Sequence, residues 1–137
     1  MNGQLSRSFL EGTGVKQGNI KSSDHYKIYI NPLLDTTESS KLGIWIGQIN
    51  VSDSACADDE YLMADSQHKL QALLDIAQFY GDMYDVTYGA SKSKITVVGS
   101  AIDRDYYKEL SPWRLYNEKV SVTENNEHLG QIVSGVD

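Results

Sequence analysis

The sequence contains only one cysteine and two prolines among its 137 residues, and it has no long apolar run. A single cysteine excludes an internal disulfide framework. No apolar stretch approaches the ~20 residues that span a bilayer, and residues 1–8 lack the apolar core of a secretion signal. These absences predict an intracellular protein, nuclear or cytoplasmic, that makes no membrane contact.

Basic residues are also scarce. Twelve lysines and arginines stand against nineteen aspartates and glutamates, giving a formal net charge of −7. Proteins that bind nucleic acid usually present a basic surface to the phosphates, so this balance argues against nucleic-acid binding by the chain alone. It favours an acidic surface that contacts a basic partner protein.

The length and the balance of apolar and charged residues are those of one globular domain, which we expect to cover residues 1–137. A glycine-rich loop at 12–18 precedes a predicted helix that begins near Ser22, Ser23 or Asp24. Pro32 lies within the apolar stripe of that helix, where it is expected to kink or shorten it.

Two hairpins are predicted next, from strands 44–46 and 49–51 and from strands 54–56 and 61–63. A helix capped by Asp65 or Ser66 follows and is expected to stop at Gly81. Short strands are predicted around 85–87, 95–98, 113–116 and 119–123, with an irregular stretch after residue 101. This order predicts an α+β fold with helices packed on one face of a small antiparallel sheet.

Asp58 and Asp59 stand side by side at the predicted tip of the second hairpin. Carboxylates held on a sheet can bind Mg²⁺, which prefers oxygen ligands and shares its coordination shell with substrate phosphates. Two such ions can support nucleotidyl transfer. An Asp-Asp pair is more often a solvated turn, because aspartate favours turns, so the dipeptide alone favours that interpretation over a metal site.

Several other segments resemble motifs of reverse transcriptases from non-LTR retrotransposons, in the order of that family and over nearly the whole chain. They are Gly-Val-Lys-Gln-Gly at 14–18 with the following segment 28–34, Ala-Asp-Asp at 57–59, the segments 64–66 and 70–75, Lys-Ser-Lys at 92–94 before 95–98, and His-Leu-Gly at 128–130. The resemblance implies an incomplete polymerase palm.

The resemblance also implies roles for single residues. Asp58 and Asp59 would be the catalytic residues and would bind Mg²⁺. Gln17 and Gly18 would lie against the incoming nucleotide and the template, and Lys92 would lie near the triphosphate. In the complete enzyme, the partners would be an RNA template, a DNA primer and a deoxynucleoside triphosphate.

The family needs a further metal-binding aspartate on an earlier strand, besides fingers and thumb, and only thirteen residues precede Gly14. Asp53 could replace that aspartate by charge, but it lies on the same local strand as Asp58. We therefore expect a fragment that is inactive alone. The unpaired sheet edge left by the absent strand predicts a site of self-association.

Two other functions remain open. The first is a non-catalytic binding or structural module that contacts a protein partner through its acidic surface. The second is a metal-dependent hydrolase, which no further carboxylate or histidine constellation favours. His25, His68 and His128 are too widely spaced for a zinc site. Cys56 is expected to be a small buried residue rather than a nucleophile.

Overall fold

The computed structural model describes residues 22–56, 59–128 and 131–134. The described part contains three helices, α1 (Ser22–Ser40), α2 (Gln67–Tyr84) and α3 (Ala101–Leu110). It also contains ten short strands, β1 (Ile44–Ile46), β2 (Ile49–Val51), β3 (Asp53–Cys56), β4 (Asp59–Leu62), β5 (Lys94–Thr96), β6 (Arg114–Leu115), β7 (Glu118–Lys119), β8 (Ser121–Thr123), β9 (Asn125–His128) and β10 (Gln131–Ser134).

The first helix forms as the apolar spacing predicts, and it continues through Pro32 to Ser40. Ile30 and Leu33 are buried on its inner face. Thr37 is also fully buried, and its hydroxyl donates to the carbonyl of Leu33 at 3.1 Å, which satisfies the polar group inside the core. The expected shortening at Pro32 is therefore wrong.

Both predicted hairpins are present. In the first, β1 and β2 pair antiparallel with Ile46 opposite Ile49, and Gly47 between them has a φ of 63°. Glycine adopts this left-handed conformation without a side-chain clash, so it suits the tight connection. In the second hairpin, β3 and β4 pair antiparallel with Cys56 opposite Asp59.

The second helix begins where predicted but ends later. The Ser66 hydroxyl accepts a hydrogen bond from the backbone N–H of Lys69, which caps the helix start. The helix continues past Gly81 to Tyr84, and Asp85 ends it in a left-handed conformation. Gly81 is instead a point of close approach, because a Cβ there would lie 2.4 Å from the Val86 carbonyl oxygen.

The second half of the chain departs most from expectation. The strand predicted around 85–87 is wrong, since these residues form no strand. The stretch after residue 101, expected to be irregular, contains helix α3, which is capped by Ser100. The remaining strands form two antiparallel pairs, β6–β7 and β9–β10, and one parallel pair, β5–β8.

Two apolar clusters hold these elements. One joins Ile30 and Leu33 of α1 to Tyr80 of α2. The other surrounds Trp113, whose indole N–H donates to the Gln67 carbonyl at the start of α2. The second helix therefore contributes to both clusters.

The fold class is mixed α+β, as predicted, with three helices and small, mainly antiparallel sheets in the described part of the chain. Those strands form five separate two-stranded sheets and no closed barrel. Among the described helices, none is both long enough and apolar enough to span a lipid bilayer.

Candidate functional site

The β3–β4 hairpin carries the acidic pair that the sequence singles out. Asp59 is the first residue of β4 and is exposed, whereas Asp58 lies outside the described residues. Because side chains alternate along a strand, Cys56 and Asp59, which are opposite each other, share one face. Both are exposed, so this face of the hairpin is open. The expected burial of Cys56 is wrong.

The other face of the hairpin is covered. β3 contacts α1, β4 contacts α2, and the two helices contact each other. The backbone N–H of Met63 donates to the Ser52 carbonyl at 2.8 Å and closes the base of the hairpin. The acidic end is thus supported by two packed helices while its own face stays accessible.

Asp53 and Glu60 belong to the covered face. Burial raises the pKa of the Glu60 carboxyl to about 7, and the charge of Asp53 adds to this rise. The nearby Tyr88 hydroxyl partly offsets this rise in the pKa of Glu60. Neither the Tyr88 hydroxyl nor Oε1 of Glu60 has a hydrogen-bond partner of normal geometry. Burial and the neighbouring Glu38 also raise the pKa of Asp53.

Lys92 lies in the turn before β5 and is exposed. Its backbone N–H donates to the Gly89 carbonyl at 3.0 Å, and that of Ser93 donates to the same oxygen at 2.9 Å. The described ion pairs, Lys69–Asp65 and Lys108–Glu124, include neither Lys92 nor Asp59. Gln17 and Gly18 lie outside the described residues. The structure therefore describes two of the five predicted site residues, and no ion pair joins them.

The donor chemistry at the hairpin end suits Mg²⁺. This ion commonly binds through one or two carboxylates, with substrate phosphates and water completing its shell. Asp59 supplies one such carboxylate on the open face, and Asp58 precedes it in sequence. No group of three histidine, cysteine, aspartate or glutamate residues that could hold a metal ion occurs within the described ranges. Asp53 faces the helices, and its strand partner is Leu62 at the opposite end of the hairpin.

Sequence reasoning missed the partly buried carboxyl of Glu60. A signal was available, because Glu60 and Leu62 are two residues apart on one strand and therefore share a face. Once Leu62 is assigned to the core side, a glutamate must be accommodated there too.

Comparisons of this chain with models of known protein families, with curated protein sequences and with solved structures found no match.

Proposed function

We propose that this chain is part of the palm of an RNA-directed DNA polymerase of the non-LTR retrotransposon type. The observation that carries the proposal is the β3–β4 hairpin, which presents Asp59 on an open face while two helices cover its other face. Segments 28–34 and 70–75 lie in helices α1 and α2, and strand β5 follows the Lys92 turn, which are the element types that the resemblance implies.

In the complete enzyme, the 3′-hydroxyl of a DNA primer on an RNA template would attack the α-phosphate of a deoxynucleoside triphosphate and release pyrophosphate. Asp58 and Asp59 would hold Mg²⁺, and the bound ion would supply charge stabilisation for the phosphoryl oxygens. Lys92 would offset charge on the leaving pyrophosphate. Gln17 and Gly18 would contact the nucleotide and template.

We also propose that the 137-residue chain does not polymerise DNA alone. Two-metal transfer in this family uses a further aspartate on a separate strand. Asp53 does not replace it, because it lies on the covered face of the hairpin, away from Asp59. The described residues therefore present only part of the carboxylate set.

Primer extension on an RNA template with Mg²⁺ tests this limit. The purified chain and its Asp58→Asn variant are both expected to incorporate no nucleotide. Incorporation by the wild-type chain that disappears in the variant would show that the chain is a complete polymerase. Incorporation by both would contradict the role of Asp58.

The β1–β2 hairpin is a candidate site of self-association. Residues 42–52 form the longest stretch without a charged residue in the sequence. Trp45, Ile46 and Ile49 are 52%, 62% and 67% exposed there, and among the described strands β1 and β2 pair only with each other. A second copy could pair with this uncharged edge without repulsion between the acidic chains. Ile46→Lys should then abolish any dimer detected by sedimentation, whereas a dimer that persists would exclude this edge.

A further inference from the structure

Two adjoining apolar hollows, which share Pro32 and Tyr84, lie along α1 and α2 and together form a groove. Its α1 side is formed by residues one helical turn apart, His25, Ile28, Pro32 and Thr36. Its α2 side is formed in the same way by Ile76, Phe79 and Met83. Ile28, Phe79 and Met83 are 71%, 65% and 58% exposed. Exposed apolar side chains that form one continuous surface commonly mark an interaction site.

Three tyrosines, Tyr29, Tyr80 and Tyr84, line the floor of this groove. The hydroxyl of Tyr29 donates to the Tyr84 carbonyl, and the hydroxyl of Tyr80 donates to the Tyr29 carbonyl. The rings of Tyr80 and Tyr84 are stacked, with centroids 4.4 Å apart. These contacts join the two helices. A partner would therefore meet a groove that is already formed, and binding would lose little conformational entropy in α1 and α2.

Both rims of the groove are acidic. Asp24 and Asp35 lie one turn and two turns from Ile28 on the outer side of α1, and both are exposed. Asp75 and Asp82 lie one turn from Phe79 on the outer side of α2, and both are exposed. A second copy of this chain would bring like charges together at the rims, which disfavours self-association here.

We propose that this groove binds a basic amphipathic helix of a partner protein. The apolar face of such a helix would cover Ile28, Phe79 and Met83, and its lysines or arginines would meet the aspartates of the two rims. Charge complementarity selects this occupant over an acidic or neutral helix. The inference does not depend on the polymerase proposal, because no residue of the acidic hairpin takes part.

A designed peptide tests the proposal directly. The probe is a fluorescent helix of about 14 residues, or four turns, with leucines on one face and lysines on the other. Fluorescence anisotropy measures its affinity for the 137-residue chain. A peptide with glutamates in place of the lysines serves as the peptide control.

The double variant Ile28→Ser/Met83→Ser should weaken binding of the lysine peptide about tenfold, because it removes apolar contact area from both sides of the groove. Ile102→Ser is the matched control, since Ile102 is 81% exposed on α3. It should leave the affinity unchanged. All three side chains are exposed, and circular dichroism checks that each variant remains folded.

The contribution of the acidic rims is tested with two variants that have the same net charge. Asp35→Asn/Asp82→Asn should weaken binding several-fold, whereas Asp105→Asn/Glu109→Gln on α3 should weaken it less. Equal effects of the two variants, equal binding of the glutamate peptide, or no binding of the lysine peptide would each overturn the proposal. A wild-type dimer that Ile28→Ser dissociates in sedimentation would also overturn it, in favour of a second copy.

Discussion

Replacing Glu60 by glutamine tests the electrostatics beneath the acidic hairpin. The pKa of this carboxyl is about 7 in the folded chain, against 4.5 for an ordinary glutamate. Between these values, the folded chain keeps the proton and the unfolded chain releases it. The folded state is therefore destabilised progressively as the pH rises from 4.5 to about 7, and the full cost is present above pH 7.

The magnitude follows from the difference between the two pKa values. Each pH unit of difference is worth about 1.4 kcal/mol, so charged Glu60 costs about 3 kcal/mol above pH 7. Glutamine has nearly the same shape and carries no charge. Glu60→Gln should therefore change the stability little near pH 4 and raise Tm by about 10 °C near pH 8.5.

Thermal unfolding followed by circular dichroism at the two pH values measures this difference. Asp53 also has a raised pKa, but it is present in both proteins, so its own titration largely cancels in the comparison. Glu118→Gln is the control, since Glu118 is exposed on β7. The same Tm difference between wild type and Glu60→Gln at both pH values would refute the reasoning.

Three substitutions test the packing by urea unfolding. Ser66→Ala should lower the free energy of unfolding by about 1 kcal/mol because it removes the cap of α2, and no change would contradict that role. Gly81→Ala should lower the free energy of unfolding by about 1–3 kcal/mol, because its Cβ would overlap the Val86 carbonyl. Gly99→Ala is the control and should not lower it, since a Cβ there has no contact closer than 3.7 Å. Equal effects of the two substitutions would refute the close approach at Gly81. Leu73→Ala, at a fully buried site, should cost about 2–5 kcal/mol. Leu110→Ala, 44% exposed, should cost under about 0.5 kcal/mol, and similar losses would place Leu73 outside the core.

Local sequence signals located the elements that depend on local interactions. The Gly47 turn, the Ser66 cap and the apolar stripe of α1 each specify one element without help from distant residues. Helix α3 was missed although its exposed residues Ile102, Tyr106 and Leu110 recur at helical spacing. A further signal was Ser100 followed three residues later by Asp103, a pair that resembles a capping box.

The errors near the site have a different cause, which is tertiary packing. Gly81 resembles a helix stop, but its lack of a side chain serves the close approach of the 86–88 segment. Cys56 was expected to be buried from its residue type, yet the pairing with Asp59 puts it on the open face. The carboxyl of Glu60 lies near Tyr88, which is distant in sequence, and near Asp53, which is on the neighbouring strand β3. The groove between α1 and α2 likewise depends on how two helices meet.

The most direct test of the polymerase proposal is cation binding at the hairpin end, measured by nuclear magnetic resonance. Mn²⁺ accepts the same oxygen ligands as Mg²⁺ and broadens the amide signals of nearby residues. The account predicts that Mn²⁺ broadens the signals of Cys56 and Asp59 most strongly. Asp58→Asn/Asp59→Asn should abolish this broadening, whereas Asp105→Asn/Glu109→Gln should preserve it. Broadening that persists in the first variant, or that is equally strong along α3, would contradict the account.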